Sequence, residues 1–232
     1  MTIIRNRVVY AASSVCGTYY VCGRLNNSEN SPFRKLWRMG LDSPATSSLA
    51  ALNVLVFALS RRLRPQGLFF NSPFNPAPSL TFSCFNHASI THLSMNMLGL
   101  ISFGPIVERC MGPEQFFAFY VSCGTLSSLG SVLYKLRTRS FIPSVGASGA
   151  VYGVLGACVH QPDVHVGTIF VPGLDLPISQ AFPLLIGFDI FGLIRGGSGF
   201  DHMAHLSGGA LGYFGFKWSQ SAWDRIIKKN KR

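Results

Sequence analysis

Charged residues in this chain fall in short clusters, and the stretches between them are long, uncharged and apolar. Ser43 to Ser60 is the first such stretch, apolar at its centre from Ala51 to Leu59 and stopped by Arg61, Arg62 and Arg64. Ile90 to Val107 is the second, ended by Glu108 and Arg109, with Pro105 distorting its last turn. Gln115 to Tyr134 is the third, ended by Lys135, Arg137 and Arg139. From Ser140 to Pro162 there is no Asp, Glu, Lys or Arg, and a fourth helix is expected to begin near Gly146. Ile178 to Ile194, containing Asp189, and His202 to Trp218, with glycines at 208, 209, 212 and 215, complete the series. A helix needs about 20 mainly apolar residues to cross a bilayer's hydrocarbon core, so the pattern predicts six spans. Pro65 to Asn86 is also uncharged, but Pro65, Pro73, Pro76 and Pro78 forbid a continuous helix. That segment is expected to lie in the interface.

Composition agrees with the pattern. Hydrophobic residues make up 48% of the chain and charged residues 12%, and the mean hydropathy is +0.31. A soluble domain carries about 25% charged residues, so the fold class is an all-α polytopic membrane protein. The net charge of +11 does not indicate nucleic-acid binding, because the basic residues flank the spans, where they set topology and meet anionic headgroups. The six cysteines show no paired or metal-type spacing and read as free thiols. Residues 1–42 are expected to form a targeting and linker region: Arg5, Arg7 and Arg24 precede the first acid, Glu29, as in a mitochondrial address. An additional weak helix over Val8 to Cys22 is the alternative. Residues 43–218 form the core and 219–232 a basic tail. Most of the 20 Lys and Arg residues lie in the two tails, which six spans would place together on the matrix side.

Six spans fix a parity. Spans two, four and six begin at the same membrane face, which brings His92 and Asn96, Ser148, and His205 to one depth. Gly146-Ala-Ser-Gly149 alone reads as a packing motif in which small residues let helices approach. With two histidines and an asparagine at its level, Ser148 reads instead as a nucleophile and His205 as its base. His92 and Asn96, four apart on one helical face, are candidate oxyanion donors beside the Ser148 N–H. Tyr152, four residues after Ser148, is placed to pack against the His205 ring. No acid is well placed as a certain third member; Asp189 and Asp201 are candidates to orient something. His87 and His202 stand at loop–helix edges where water is available.

His92-Leu-Ser-Met-Asn96, Gly146-Ala-Ser148-Gly149 and Ala204-His205-Leu-Ser-Gly208-Gly-Ala-Leu-Gly212, in that order, resemble the rhomboid intramembrane serine proteases. The segments Phe82 to Met97, Gly112-Pro-Glu-Gln-Phe116 and Phe200-Asp201-His202-Met-Ala-His205 resemble the mitochondrial presenilin-associated rhomboid-like branch. The likeness covers about residues 45–218. It implies a six-transmembrane-helix rhomboid bundle and a Ser148–His205 dyad, with His92 and Asn96 as oxyanion donors. It places Gly146 and Tyr152 in support and His87 at the water-facing edge. It further implies no metal, no cofactor, and cleavage of transmembrane segments of other proteins in the mitochondrial inner membrane. Such clients should carry helix-weakening residues, since a peptide bond inside a regular helix is shielded by its own hydrogen bonds. Two other readings are an inactive rhomboid-like protein that binds client helices, and a polytopic transporter or metal channel using His87, His92, His202 and His205.

Overall fold

A computed structural model describes residues 2–26, 28, 30–63, 67–167, 173, 175–196 and 199–230, without the side chains of 63 and 222–230. The Arg64 stop, Pro65 and most side chains of the 219–232 tail therefore lie outside the described residues. The apolar runs become helices: α3 (Pro44–Leu63), α5 (Ile90–Met111), α6 (Pro113–Thr138), α7 (Ser148–Cys158), α8 (Ile178–Arg195) and α9 (His202–Asn230). Among the described residues, α5, α6 and α8 are long and apolar enough to cross a membrane by composition. The remaining helices are α1 (Thr2–Asn26), α2 (Pro32–Arg38) and the single turn α4 (Ser79–Phe82). A short antiparallel ribbon, β1 (His165–Gly167) with β2 (Asp175–Pro177), joins α7 to α8. The fold is that of an all-helical polytopic membrane protein.

Three differences from the sequence reading matter. First, residues 2–26 form one long helix packed into the bundle, where the sequence offered a weak helix over Val8 to Cys22 only as an alternative. Tyr19 Oη and Ser219 Oγ are 2.6 Å apart at one end, and Arg7 donates to the backbone carbonyl of Ser72 at 2.7 Å at the other. The twelve steps from Arg7 to Tyr19 rise about 18 Å, so α1 traverses much of the bundle's thickness. Arg5 and Arg7 then lie at the end of the bundle away from the C-terminal tail, while Arg24, Arg34, Lys35 and Arg38 follow the end of α1 that meets Ser219, so the two tails are not wholly on one side. Second, Glu108 does not stop α5. Its buried carboxylate accepts the N–H groups of Ala45 and Thr46 and the Thr46 hydroxyl, at 2.7–2.9 Å. These N–H groups at the start of α3 have no partner within their own helix, so the acid caps a neighbouring helix. Third, the uncharged run from Ser140 to Pro162 is not one span: only the 11 residues from Ser148 to Cys158 are helical. They rise about 16 Å, roughly half of a hydrocarbon core about 30 Å thick. Ser148 therefore begins a helix too short to cross that core by itself.

Helix α6 is the most buried of the candidate spans and α8 the least. The contact that positions the chemistry is the crossing of α7 and α9. A Cβ on Gly156 would come within 2.5 Å of the Gly209 carbonyl oxygen, and one on Gly208 or Gly212 would collide with the backbone of Gly149 or Gly153. With no side chains in the seam, the two backbones touch. This close approach brings the first turn of α7 against the first turn of α9.

Candidate active site

Ser148 is the first residue of α7, so its N–H and those of the next two residues have no intrahelical acceptor. Ahead of it, residues 143–147 are not helical, and Gly146 has a φ of +133°. A Cβ at Gly146 would be strained and would lie 2.6 Å from Cε1 of His92. The His92 ring thus rests on the loop that leads into the serine.

Ser148 Oγ and His205 Nε2 are 2.9 Å apart. On the other side of that imidazole, His205 Nδ1 is 2.9 Å from Asp189 Oδ1 on α8. The same oxygen is 2.7 Å from His202 Nδ1. An ionised carboxylate only accepts hydrogen bonds, so both Nδ1 atoms carry protons, and the Nε2 lone pair of His205 faces the serine hydroxyl. Tyr152 stacks on the His205 ring, with centroids 4.3 Å apart and planes 10° apart. Three elements, α7, α8 and α9, therefore hold one imidazole in one plane and one tautomer.

The sequence reading, which left no acid certain as a third member, is corrected here: Asp189 is fully buried behind His205. His202 is corrected as well, being buried and hydrogen-bonded to Asp189, with its ring seated on Gly192 of α8. His87 is buried too, not at a water-facing edge, with its ring 5.1 Å from that of His92 in an edge-to-face arrangement. Burial first, and the neighbouring His92 second, hold its pKa down to about 4, so it is neutral at physiological pH. Asn96, one turn below His92, is buried and donates to the His92 carbonyl oxygen at 2.8 Å.

Asp201 serves a different purpose from Asp189. It accepts from Lys135 Nζ at 3.3 Å, from the Ser131 hydroxyl, and from the Ala204 N–H at 3.1 Å, which caps α9. Burial pushes its pKa up, but the Lys135 charge and these hydrogen bonds outweigh it, and the carboxyl stays below its ordinary range. A cleft of about 590 Å³ opens over the pair, with Ser148, His205, His92, His202, Phe200 and Ile142 among its lining residues.

The sequence reading found no carboxylate to complete a metal site among the histidines, and Asp189 supplies one. Donor atoms of Asp189, His202 and His205 lie within 4.8 Å of one another. The carboxylate oxygen, however, is 2.7 and 2.9 Å from the two nitrogens. Ligands about 2.0–2.1 Å from a tetrahedral ion must stand roughly 3.3 Å apart. The spacing is that of N–H···O hydrogen bonds.

A helical membrane protein with a serine hydrogen-bonded to a histidine and a buried carboxylate behind that histidine is the class that these observations define. The chain belongs to the rhomboid family: the rhomboid domain matches residues 77–218. It is 37% identical over 85% of its length to the human presenilin-associated rhomboid-like protein, mitochondrial, covering 53% of that protein. It is 33% identical to the mitochondrial rhomboid protein 1 of Saccharomyces cerevisiae, over 71% of this chain and 50% of that one. The corresponding figures for the mitochondrial RHOMBOID-like protein 12 of Arabidopsis thaliana are 29%, 84% and 62%. The chain spans about half the length of the presenilin-associated rhomboid-like relatives that it matches.

Proposed function

We propose that this chain is an intramembrane serine endopeptidase of the mitochondrial inner membrane that cleaves transmembrane segments of other membrane proteins. The observation that carries the reading is the 2.9 Å contact between Ser148 Oγ and an imidazole nitrogen whose tautomer is set from behind by Asp189. Membership of the rhomboid family and the mitochondrial relatives support it. In this reading residues 43–218 are the proteolytic core, 219–232 a basic tail facing lipid headgroups, and residues 1–42 an additional helix and its linker.

Ser148 Oγ attacks the scissile carbonyl while His205 Nε2 takes its proton, and His205 returns that proton to the departing amine. Asp189 keeps the imidazole oriented and stabilises its charged form. The negative oxygen of the intermediate is met by the Ser148 N–H at the positive end of α7, with His92 and Asn96 donating from α5. Water entering through the cleft then releases the acyl group. The client helix must unwind locally, because its carbonyls are otherwise engaged, and the polar groups among the cleft's lining residues supply partners that lipid does not.

The test is cleavage of a helical substrate by purified protein in liposomes. A substrate with Gly or Pro near the site-bearing face is cut, its Leu-substituted version is not, and a chelator changes nothing. Cleavage that is indifferent to helix propensity overturns this account of client choice, and loss of cleavage on chelation favours a metal site. For the oxyanion donors, Asn96→Ala should lower kcat by about 10²–10³, some 2.7–4 kcal/mol, with KM little changed. A defect confined to KM removes Asn96 from that role.

A further inference from the structure

The mechanism leaves a buried arginine unused. Arg7, on α1, is 3% exposed, and among the described residues no carboxylate forms an ion pair with it. Its guanidinium donates through Nη2 to the backbone carbonyl oxygens of Ser72 and Asn75. Burying an unpaired charge is expensive, and here its hydrogen bonds go to a single loop. Two carbonyls of one turn, held by one planar group, leave that loop little freedom.

The same loop holds the segment that leads into Ser148. The residue before Ser72, Asn71, forms an isolated antiparallel bridge with Ser144: Asn71 N donates to Ser144 O at 2.7 Å, and Ser144 N to Asn71 O at 3.0 Å. The Asn71 side chain donates to the Ser128 carbonyl on α6 at 3.0 Å. Phe74, at the loop's tip, packs on Phe141 with centroids 5.0 Å apart. On the far side, Lys135 Nζ reaches the Ser144 hydroxyl at 2.7 Å and Asp201 at 3.3 Å, beside the cap of the helix that carries His205. From Ser144 it is four residues to Ser148.

We propose that Arg7 is a positioning residue for the proteolytic reaction, acting from α1 through the 71–75 loop to hold the 143–147 segment, and with it Ser148, in register with His205. The proposal rests on the proteolytic reading above. It makes α1 part of the machinery that aligns the nucleophile, although no atom of α1 touches the substrate. Residues 77–218, the rhomboid match itself, include neither Arg7 nor the loop that it grips.

The test uses the full chain in liposomes, with Arg7→Met, which keeps the aliphatic stem and removes the donors, Arg7→Lys, and the exposed Arg5→Ala as control. Displacing a reacting group by about 1 Å can slow a reaction roughly 10²-fold. Arg7→Met should therefore lower kcat about 10- to 100-fold, with KM and the thermal midpoint little changed. The labelling rate of Ser148 by a fluorophosphonate should fall in parallel, Arg7→Lys should recover part of the loss, and Arg5→Ala should match the parent. A folded Arg7→Met with parental kcat and labelling rate overturns the proposal, as does a kcat loss no greater than the fraction unfolded. If Arg7→Met does not fold, Arg7→Lys decides. The lysine nitrogen ends one bond short of the position of Nη2, which alone holds both carbonyls, so parental kcat there is equally fatal. A parent protein that cuts no substrate overturns the proteolytic reading and this inference together; a parent that cuts, with unaffected Arg7 variants, overturns only the inference.

Discussion

Ser148→Ala and His205→Ala should each abolish cleavage while leaving the helical bundle intact. In serine hydrolases whose residues act as a unit, removing either the nucleophile or the base lowers turnover by on the order of a millionfold. Ser148 Oγ and His205 Nε2 are 2.9 Å apart at the crossing of α7 and α9, and neither group's loss opens a large cavity in the seam. The measurement is single-turnover cleavage of a helical substrate, with circular dichroism and the thermal midpoint followed in parallel. Substantial turnover by either folded variant would remove the proposed mechanism. If the parent also fails to cleave but still binds client helices, the inactive-relative reading is the right one.

Asp189→Asn is the more discriminating experiment. The carboxylate accepts from Nδ1 of both His205 and His202, which leaves the His205 Nε2 lone pair aimed at Ser148. An amide can present N–H where the carboxylate presents oxygen, and the imidazole then adopts the opposite tautomer, with its proton facing the serine. In a Ser-His-Asp protease the equivalent change lowers kcat by about 10⁴ with the geometry preserved. A fall of about 10²–10⁴ is expected here, because Tyr152 stacking keeps the ring in plane even without the acid. The loss should lie in kcat rather than KM. If folded Asp189→Asn retains parental kcat, Ser148 and His205 act as a two-residue unit, and Asp189 only fastens α8 to the bundle.

Much of this site was legible before any coordinates, for a physical reason. A chain that crosses a bilayer without closing into a barrel must run as helices, so charge clusters mark the turns, and counting the turns places His92, Ser148 and His205 at one face. The glycines at 149, 153, 208 and 212 also announce a close helix crossing, since small residues are what such seams require. Family-specific motifs around those residues narrowed the reading further. Parity, however, gives only a depth and a direction. It does not say which way a side chain points about the helix axis, so Asp189, near the far end of its span and 16 residues from His205, had no visible partner.

Other misreadings share that origin. Glu108 and Arg7 are charged residues, which in sequence mark a boundary or an address, yet both are buried on the backbone of other elements. Only a fold that supplies the matching N–H or C=O groups makes this tolerable. The short reach of α7 was hidden too, because an uncharged run from Ser140 to Pro162 reads the same whether its first residues are helical or bridged to Asn71. Local sequence therefore determined the main apolar helices, their order and the serine and histidine that meet between them. Tertiary structure alone decided the third residue behind His205, the short extent of α7 and the contacts that run from α1 towards the serine, because each depends on partners distant in the chain whose side-chain directions no periodicity records.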